Sequence, residues 1–134
     1  MSVRSELEGR LKAWANAQTP KIPVAWEGVP FDKPLNGLFL QAFLLPAQTQ
    51  NPTVDGMRTR ELGIFHVNCW GLDGEGWGKV EGLADSIVSL FPLLPKQGTV
   101  SVERTPSKQA HMLDNGWRVV PVVIYYRREA QLPQ

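Results

Sequence analysis

The chain has 134 residues, of which 43% are hydrophobic and 20% are charged, and its formal net charge is +1. This length and composition predict one globular domain with flexible ends at residues 1–2 and 129–134. The balanced charge argues against sequence recognition of nucleic acid, and no apolar run is long enough for a membrane-spanning helix. The charged start differs from a signal peptide, and the single Cys69 allows no internal disulfide, so we expect synthesis in a reducing cytoplasm.

The first half of the chain predicts one helix and two strands. Apolar residues at helical spacing indicate a helix from about Val3 to Ala17. Alternating residues 22–26 predict a short strand, which the neighbouring prolines place at a sheet edge. From Leu38 to Leu45 both alternating sets are largely apolar, so this strand is expected to be covered on both faces and to lie in the middle of the sheet.

A long strand and a second helix follow. Residues 46–57 are rich in proline, glutamine and turn formers and are expected to form a projecting loop. A strand over residues 58–70 leads through a glycine-rich turn into a helix over residues 79–91, which Pro92 ends. The apolar residues of this helix form one stripe that can pack on a sheet: Val80, Leu83, Ala84, Ile87, Val88 and Phe91.

Two strands, over residues 99–104 and 117–128, complete the pattern. Residues 114–116 form a tight-turn signal before the last strand, and Pro121 predicts a bulge or an edge within it. The order of elements and the hairpin-length connections predict an α+β fold in which two main helices pack on a mostly antiparallel sheet.

Patterns for cofactor and metal binding are incomplete, and we expect neither a cofactor nor a metal. A P-loop would require glycine where Asp73 stands and Ser or Thr where Val80 stands. Two histidines and one cysteine lack the spacing of a structural metal site. Glu75, Glu81 and Asp85 could provide a weak divalent-ion site between subunits, although charges on a helix more often form a solvated face.

Nucleophilic catalysis would require Cys69 beside a base. His66 is three residues away, so the two side chains should point to opposite faces of a regular strand. His111 lies in a later loop, and nothing in the sequence brings it to Cys69. We therefore expect no catalytic residues and no enzymatic activity.

Aromatic residues and arginines are the remaining candidates for binding. The five tryptophans are expected to pack in the core or in an interface rather than around a ligand. Arg58 and Arg60 flank the base of the projecting loop, and Arg127 and Arg128 close the last strand. These two basic spots could face a partner or remain solvated.

The full pattern resembles the small tail-terminator, or tail-completion, proteins of long-tailed bacteriophages and prophages. The resemblance runs from about Val3 to Arg128. Its most specific elements are the PVAWEGVPF segment, the strand from Arg60 to Val67, and the helix that ends at Phe91 and Pro92. These are scaffold positions, so no catalytic residue is carried over with them.

The resemblance implies a minor tail protein with a role in virion assembly. Such proteins form a ring, typically of six subunits, that caps the tail tube, ends its polymerisation and helps to join tail to head. The implied partners are further copies of the chain, the tail-tube protein and a head-completion or connector protein, with assembly in the host bacterial cytoplasm and a final place in the virion tail. The expected contact residues are Gln50, Asp55, Arg58, Arg60, Arg127 and Arg128.

Two other functions are compatible with the sequence. A different neck or head-to-tail connector protein could share this scaffold, because related folds serve several functions. A small-ligand-binding or enzymatic domain would require a pocket that converges on His66, Cys69 or His111.

Overall fold

The computed structural model describes residues 3–34, 37–47, 58–72, 74, 77–92 and 100–131. Its elements agree with an α+β fold. The helices are α1 (Val3–Asn16) and α2 (Gly78–Leu90). The strands are β1 (Val24–Trp26), β2 (Phe39–Pro46), β3 (Arg58–Leu72), β4 (Val100–Val102), β5 (Ser107–Lys108), β6 (Met112–Asp114) and β7 (Trp117–Gln131).

One sheet contains all these strands, in the order β1-β2-β3-β7-β4, with β5 and β6 also paired to β7. The pairing of β1 with β2 is parallel, and the other pairings are antiparallel. The two long strands, β3 and β7, stay in one register from Arg58↔Gln131 to Leu72↔Trp117. The predicted fold class, a mostly antiparallel sheet with two helices, is therefore confirmed.

The main core lies between the sheet and the two helices. Every second residue of β3 and β7 points toward the helices, as the strand period requires. Phe65 is fully buried there and meets Phe91, which directly follows α2, with ring centroids 5.8 Å apart. The helices contribute Val3, Leu7, Leu11 and Ala15 from α1 and Val80, Leu83, Ala84 and Ile87 from α2.

Both predicted helices are confirmed within one residue at their ends. The predicted apolar stripe of α2 is buried against the sheet except at Val88, which is half-buried. The helix ends before Pro92, because proline cannot continue the intrahelical hydrogen bonds. Neither helix in the described part of the chain has the length and apolarity needed to span a membrane.

The face of the sheet that points away from the helices, here called the outer face, carries a second cluster at one end. Phe39 stacks on Trp70 with ring centroids 5.1 Å apart and meets Trp117 edge-on at the same distance. Phe31, from the segment after β1, packs on Phe39 at 5.3 Å. Trp70 and Trp117 pack in this cluster, as expected, and are 8% and 9% exposed.

The predicted position of β2 was wrong in two respects. The middle strand of the sheet is β3, because β2 has only the three-residue β1 beyond it. Coverage on both faces holds at Phe39 and Leu40 but fails at Leu45, which is 50% exposed on the outer face. Apolar residues on both sides of a strand therefore indicated a strand but not its place in the sheet.

The last strand is long and contains a proline. The strand β7 continues to Gln131, and residues 1, 2 and 132–134, which belong to the ends expected to be flexible, lie outside the described residues. Pro121 neither breaks β7 nor places it at an edge. The pairing instead shifts by one residue between β5 (Lys108↔Val122) and β6 (Met112↔Val119), so the irregularity lies in the segment opposite the proline.

Candidate interaction surfaces

The pairing of β3 with β7 brings the predicted basic residues to one end of the sheet. Arg60 on β3 lies opposite Glu129 on β7. Two residues further along β3, Leu62 lies opposite Arg127. Arg60 and Arg127 belong to the outer-face set of residues, whereas Arg128 belongs to the helix side. The two basic spots of the sequence are therefore one region of the sheet, divided between its two faces.

Arg128 has a partner within the chain. Its Nη2 atom lies 3.0 Å from the Glu61 carboxylate, on the strand beside it. Arg58 is placed at the start of β3, opposite Gln131. The predicted contacts Gln50 and Asp55 lie outside the described residues.

The outer face at this end is both basic and apolar. The Arg104 guanidinium lies 4.0 Å from the centroid of the Tyr125 ring, which faces outward on β7. Leu45, at the end of β2, is 50% exposed. We call the surface formed by Leu45, Arg60, Arg104 and Arg127 the arginine end.

The opposite end of the sheet carries an exposed apolar surface that the sequence did not predict. Trp77 is 54% exposed, Met112 is 51% exposed and Leu113 is 65% exposed. Asp114 follows them, and a tight turn through Asn115 and Gly116 leads into β7, with φ angles of 50° and 84°. We call the surface formed by Trp77, Met112, Leu113 and Asp114 the turn end.

A stack of polar groups holds Trp77 in place. The Arg118 guanidinium lies 3.8 Å from the Trp77 ring centroid. Its Nη1 atom is 3.2 Å from His111 Nδ1, and His111 Nε2 is 3.4 Å from a Glu81 oxygen. Arg118 is only 9% exposed, so this exposed tryptophan rests on a fixed support. The one available sequence signal was the pair Met112–Leu113 beside a tight turn, where polar residues are usual.

At both edges of the sheet a carboxylate accepts a hydrogen bond from a backbone amide. The Leu44 amide, beyond the end of the β1 pairing, donates to Glu27 Oε1 at 2.6 Å. This hydrogen bond is the main cause of the lowered pKa of Glu27. At the other edge the Val100 amide donates to Glu6 Oε2 at 3.1 Å. Covered edge donors disfavour unregulated strand addition between molecules.

The candidate nucleophile and base do not meet. Cys69 is fully buried on the helix side, and burial raises the pKa of its thiol to about 12. His66 is half-buried on the outer face beside Phe43, with ring centroids 6.4 Å apart. His111 lies with Arg118 and Glu81, as described above. The predicted separation of Cys69 and His66 is therefore confirmed.

A cavity of about 580 Å³ lies on the outer face between β2 and the segment after β1. Lys33 lies over its aromatic wall, with the ammonium group 4.5 Å from the Trp70 ring centroid. None of the three residues that an enzymatic site would require lines this cavity in the described part of the chain. Nor do the described residues place three or more His, Cys, Asp or Glu side chains so that they could hold a metal ion.

The half-buried His66 predicts a pH dependence of stability. Burial is the main cause of its lowered pKa, and Asn68 partly offsets it. As pH falls below the unfolded-state pKa of about 6.5, the unfolded chain binds a proton more readily than the folded chain, so stability should decrease. Denaturant unfolding between pH 7.5 and 5.5 measures this decrease. This decrease in stability should be absent in the variant His66→Gln and still present in His111→Gln. If the free energy of unfolding of His66→Gln depended on pH as strongly as that of the original chain, the assignment to His66 would be contradicted.

Comparison with known proteins agrees with the fold and assigns a family. A family described as "Phage tail terminator protein" matches residues 2–126. A solved structure with 30% sequence identity superposes with a TM-score of 0.75, covering 98% of this chain and 96% of the other. The name of that protein is a sequence identifier and states no function. No curated protein matches significantly. The chain therefore belongs to the phage tail terminator family, a family of structural proteins of the bacteriophage tail.

Proposed function

We propose that this protein caps the phage tail tube as a ring of identical subunits, ends tube polymerisation and offers a surface for joining the tail to the head. The observation that carries this proposal is the family match over residues 2–126. Six subunits is the expected ring size, by the family resemblance. The protein acts by binding and not by catalysis.

The distribution of buried and exposed groups supports a binding role. The helices and one face of the sheet enclose the main core, while apolar and charged side chains remain on the outer face and at both sheet ends. The edge donors at Leu44 and Val100 are covered by carboxylates, which disfavours open-ended strand addition. A ring requires a contact between two different surfaces that closes after a fixed number of copies.

The proposed partners are further copies of the chain, the tail-tube protein and a head-completion or connector protein. Assembly takes place in the cytoplasm of the host bacterium. We propose that the segment 48–57, with Gln50 and Asp55, contacts the tube or a neighbouring subunit. Arg58 and Arg60, at the start of β3, extend that contact.

Tube polymerisation tests the proposal. The purified protein is added to polymerising tail-tube protein from the same phage or prophage, and tube lengths are measured by electron microscopy. The proposal predicts that growth stops and that mean tube length falls as the protein concentration rises. Tube lengths that do not depend on the protein would contradict the capping role.

Deletion of residues 50–56 tests the role of the segment separately. The shortened chain should remain folded, with unchanged far-ultraviolet circular dichroism, but should no longer stop tube growth. If it capped tubes as well as the full chain, the segment would not be the contact, although the capping role itself would stand.

A further inference from the structure

His111 lies between a cation and a carboxylate at the turn end. Its Nδ1 atom is 3.2 Å from Nη1 of Arg118 on β7, and its Nε2 atom is 3.4 Å from a carboxylate oxygen of Glu81 on α2. The imidazole also meets the Trp77 ring edge-on, with ring centroids 5.9 Å apart. The His111 side chain is 26% exposed, so a proton from the solvent can reach it. One titratable ring therefore joins the helix, the sheet and the exposed tryptophan.

These neighbours fix the tautomer of the neutral ring. A guanidinium has only donors and keeps its charge in proteins, so Nη1 of Arg118 donates and Nδ1 of His111 accepts. The neutral ring then carries its hydrogen on Nε2, the atom that lies beside the Glu81 carboxylate. The neutral form of His111 therefore fits both of its polar neighbours.

The protonated ring no longer fits against Arg118. The proton must go to Nδ1, because Nε2 already carries a hydrogen. The new N–H would face Nη1 of Arg118 across 3.2 Å, so two donors and two positive charges would meet where a hydrogen bond had been. On the other side, the positive ring attracts the Glu81 carboxylate. Protonation thus exchanges one contact for another, and the fold as a whole need not gain or lose stability.

The other charges around His111 balance one another. On the elements packed against it, Lys108 of β5 pairs with Asp85 of α2 at 2.6 Å, and both side chains are exposed. Lys79 of α2 and Asp114 of β6 are also exposed and have opposite signs. Water and salt screen such exposed charges, whereas the guanidinium on β7 is only 9% exposed. The two groups in direct contact with the ring therefore decide where it lies.

We propose that His111 is a proton-operated switch at the turn end. When Nδ1 takes up a proton, the ring leaves Arg118 and stays with Glu81; when Nδ1 loses the proton, the hydrogen bond from Arg118 returns. Histidine is the side chain that ordinarily changes charge between about pH 5 and 8. Trp77 packs on Arg118 and on His111, and Met112 follows His111 in the chain, so the exposed apolar surface changes with the proton. This inference does not depend on the capping role.

The indole N–H signal of Trp77 reports the switch in the full chain. In nitrogen–proton correlation spectra it should shift in one step between about pH 8 and pH 5. The variant Trp77→Phe assigns this signal among those of the five tryptophans. A Trp77 signal that does not move with pH would overturn the proposal.

Two histidine variants form a matched pair for this measurement. His111→Gln should abolish the shift, because an amide oxygen can accept from Arg118 but takes up no proton in this range. His66→Gln removes the histidine of the outer face and should leave the shift unchanged. The other four tryptophan signals show whether each variant is folded. A Trp77 shift that persists in His111→Gln, or disappears in folded His66→Gln, would overturn the proposal.

Nuclear Overhauser effects distinguish an exchange of partners from a change of charge alone. At about pH 8 the ring protons of His111 should give cross-peaks to the side chains of both Arg118 and Glu81. At about pH 5 the cross-peaks to Arg118 should disappear and those to Glu81 should remain. Cross-peaks to Arg118 of equal strength at both pH values would show that the ring does not move, and the proposal would fall.

Two neutralising substitutions on α2 test the role of Glu81. Glu81→Gln removes the carboxylate that favours the protonated ring, so the Trp77 step should move to lower pH. Asp85→Asn removes a carboxylate of the same helix that pairs with Lys108, and it should move the step less. An equal displacement in both variants, or none in Glu81→Gln, would contradict the proposed switch. These measurements contain no tubes, so their failure would leave the capping role untouched.

Discussion

Replacement of Gly63 by alanine is expected to lower the free energy of unfolding by about 3 kcal/mol, the upper part of the usual cost of overpacking. Gly63 lies on β3 beneath the Tyr126 ring. A Cβ atom at Gly63 would stand 2.5 Å from Tyr126 Oη and 2.7 Å from the backbone oxygen of Leu45. The backbone oxygen belongs to a paired strand, so it cannot move without distorting the sheet.

The same substitution at Gly82 provides a matched control. Gly82 is exposed inside α2, and a Cβ atom there would meet no atom within 4 Å. Alanine should stabilise the helix by up to about 1 kcal/mol, because glycine is the poorer helix former. Urea unfolding of both variants measures the two opposite changes. A Gly63→Ala chain as stable as the original would show that Tyr126 does not lie against this strand.

Truncation of Phe65 to alanine should cost about 3–5 kcal/mol. Phe65 is fully buried between the sheet and α2, so its removal leaves a cavity that paired strands cannot close. Domains of this size are stable by only about 5–15 kcal/mol, and the variant should therefore be close to unfolding at physiological temperature. Chemical denaturation at 25 °C measures the difference in the free energy of unfolding between Phe65→Ala and the original chain.

Phe43→Ala is the control for this prediction, since Phe43 lies on the neighbouring strand but on the outer face. It is half-buried beside His66, and its loss should cost about 1 kcal/mol, well below the loss at Phe65. Equal losses would mean that the outer face contributes as much to stability as the helix-covered face. The helix-covered face would then not be the main source of stability.

Local patterns in the sequence predicted the elements well. The stripe from Val80 to Phe91 predicted both the limits of α2 and the side that packs on the sheet. The spacing of His66 and Cys69 predicted that they point to opposite faces, because the side-chain period of a strand is fixed by geometry. These features depend on residues close together in the chain, which is why periodicity predicts them.

Features that depend on strand pairing could not be predicted in this way. Middle strands and next-to-edge strands can both be as apolar as β2. The place of β2 in the sheet therefore became clear only from its pairing with β1 and β3. The arginine end exists because the β3–β7 pairing places Arg60 and Arg127 on the same face, in pairs two residues apart. The turn end joins Trp77 to β6 through Arg118 and His111, contacts between side chains that no spacing rule encodes.

Labelling of tube ends tests the capping role most directly. The protein, carrying a gold-labelled affinity tag, is mixed with preformed tail tubes from its own phage or prophage and imaged by electron microscopy. Capping predicts gold at a single end of each tube, and no further growth at that end when fresh tube protein is added. Gold along the sides of the tubes, or labelled ends that continue to grow, would contradict it.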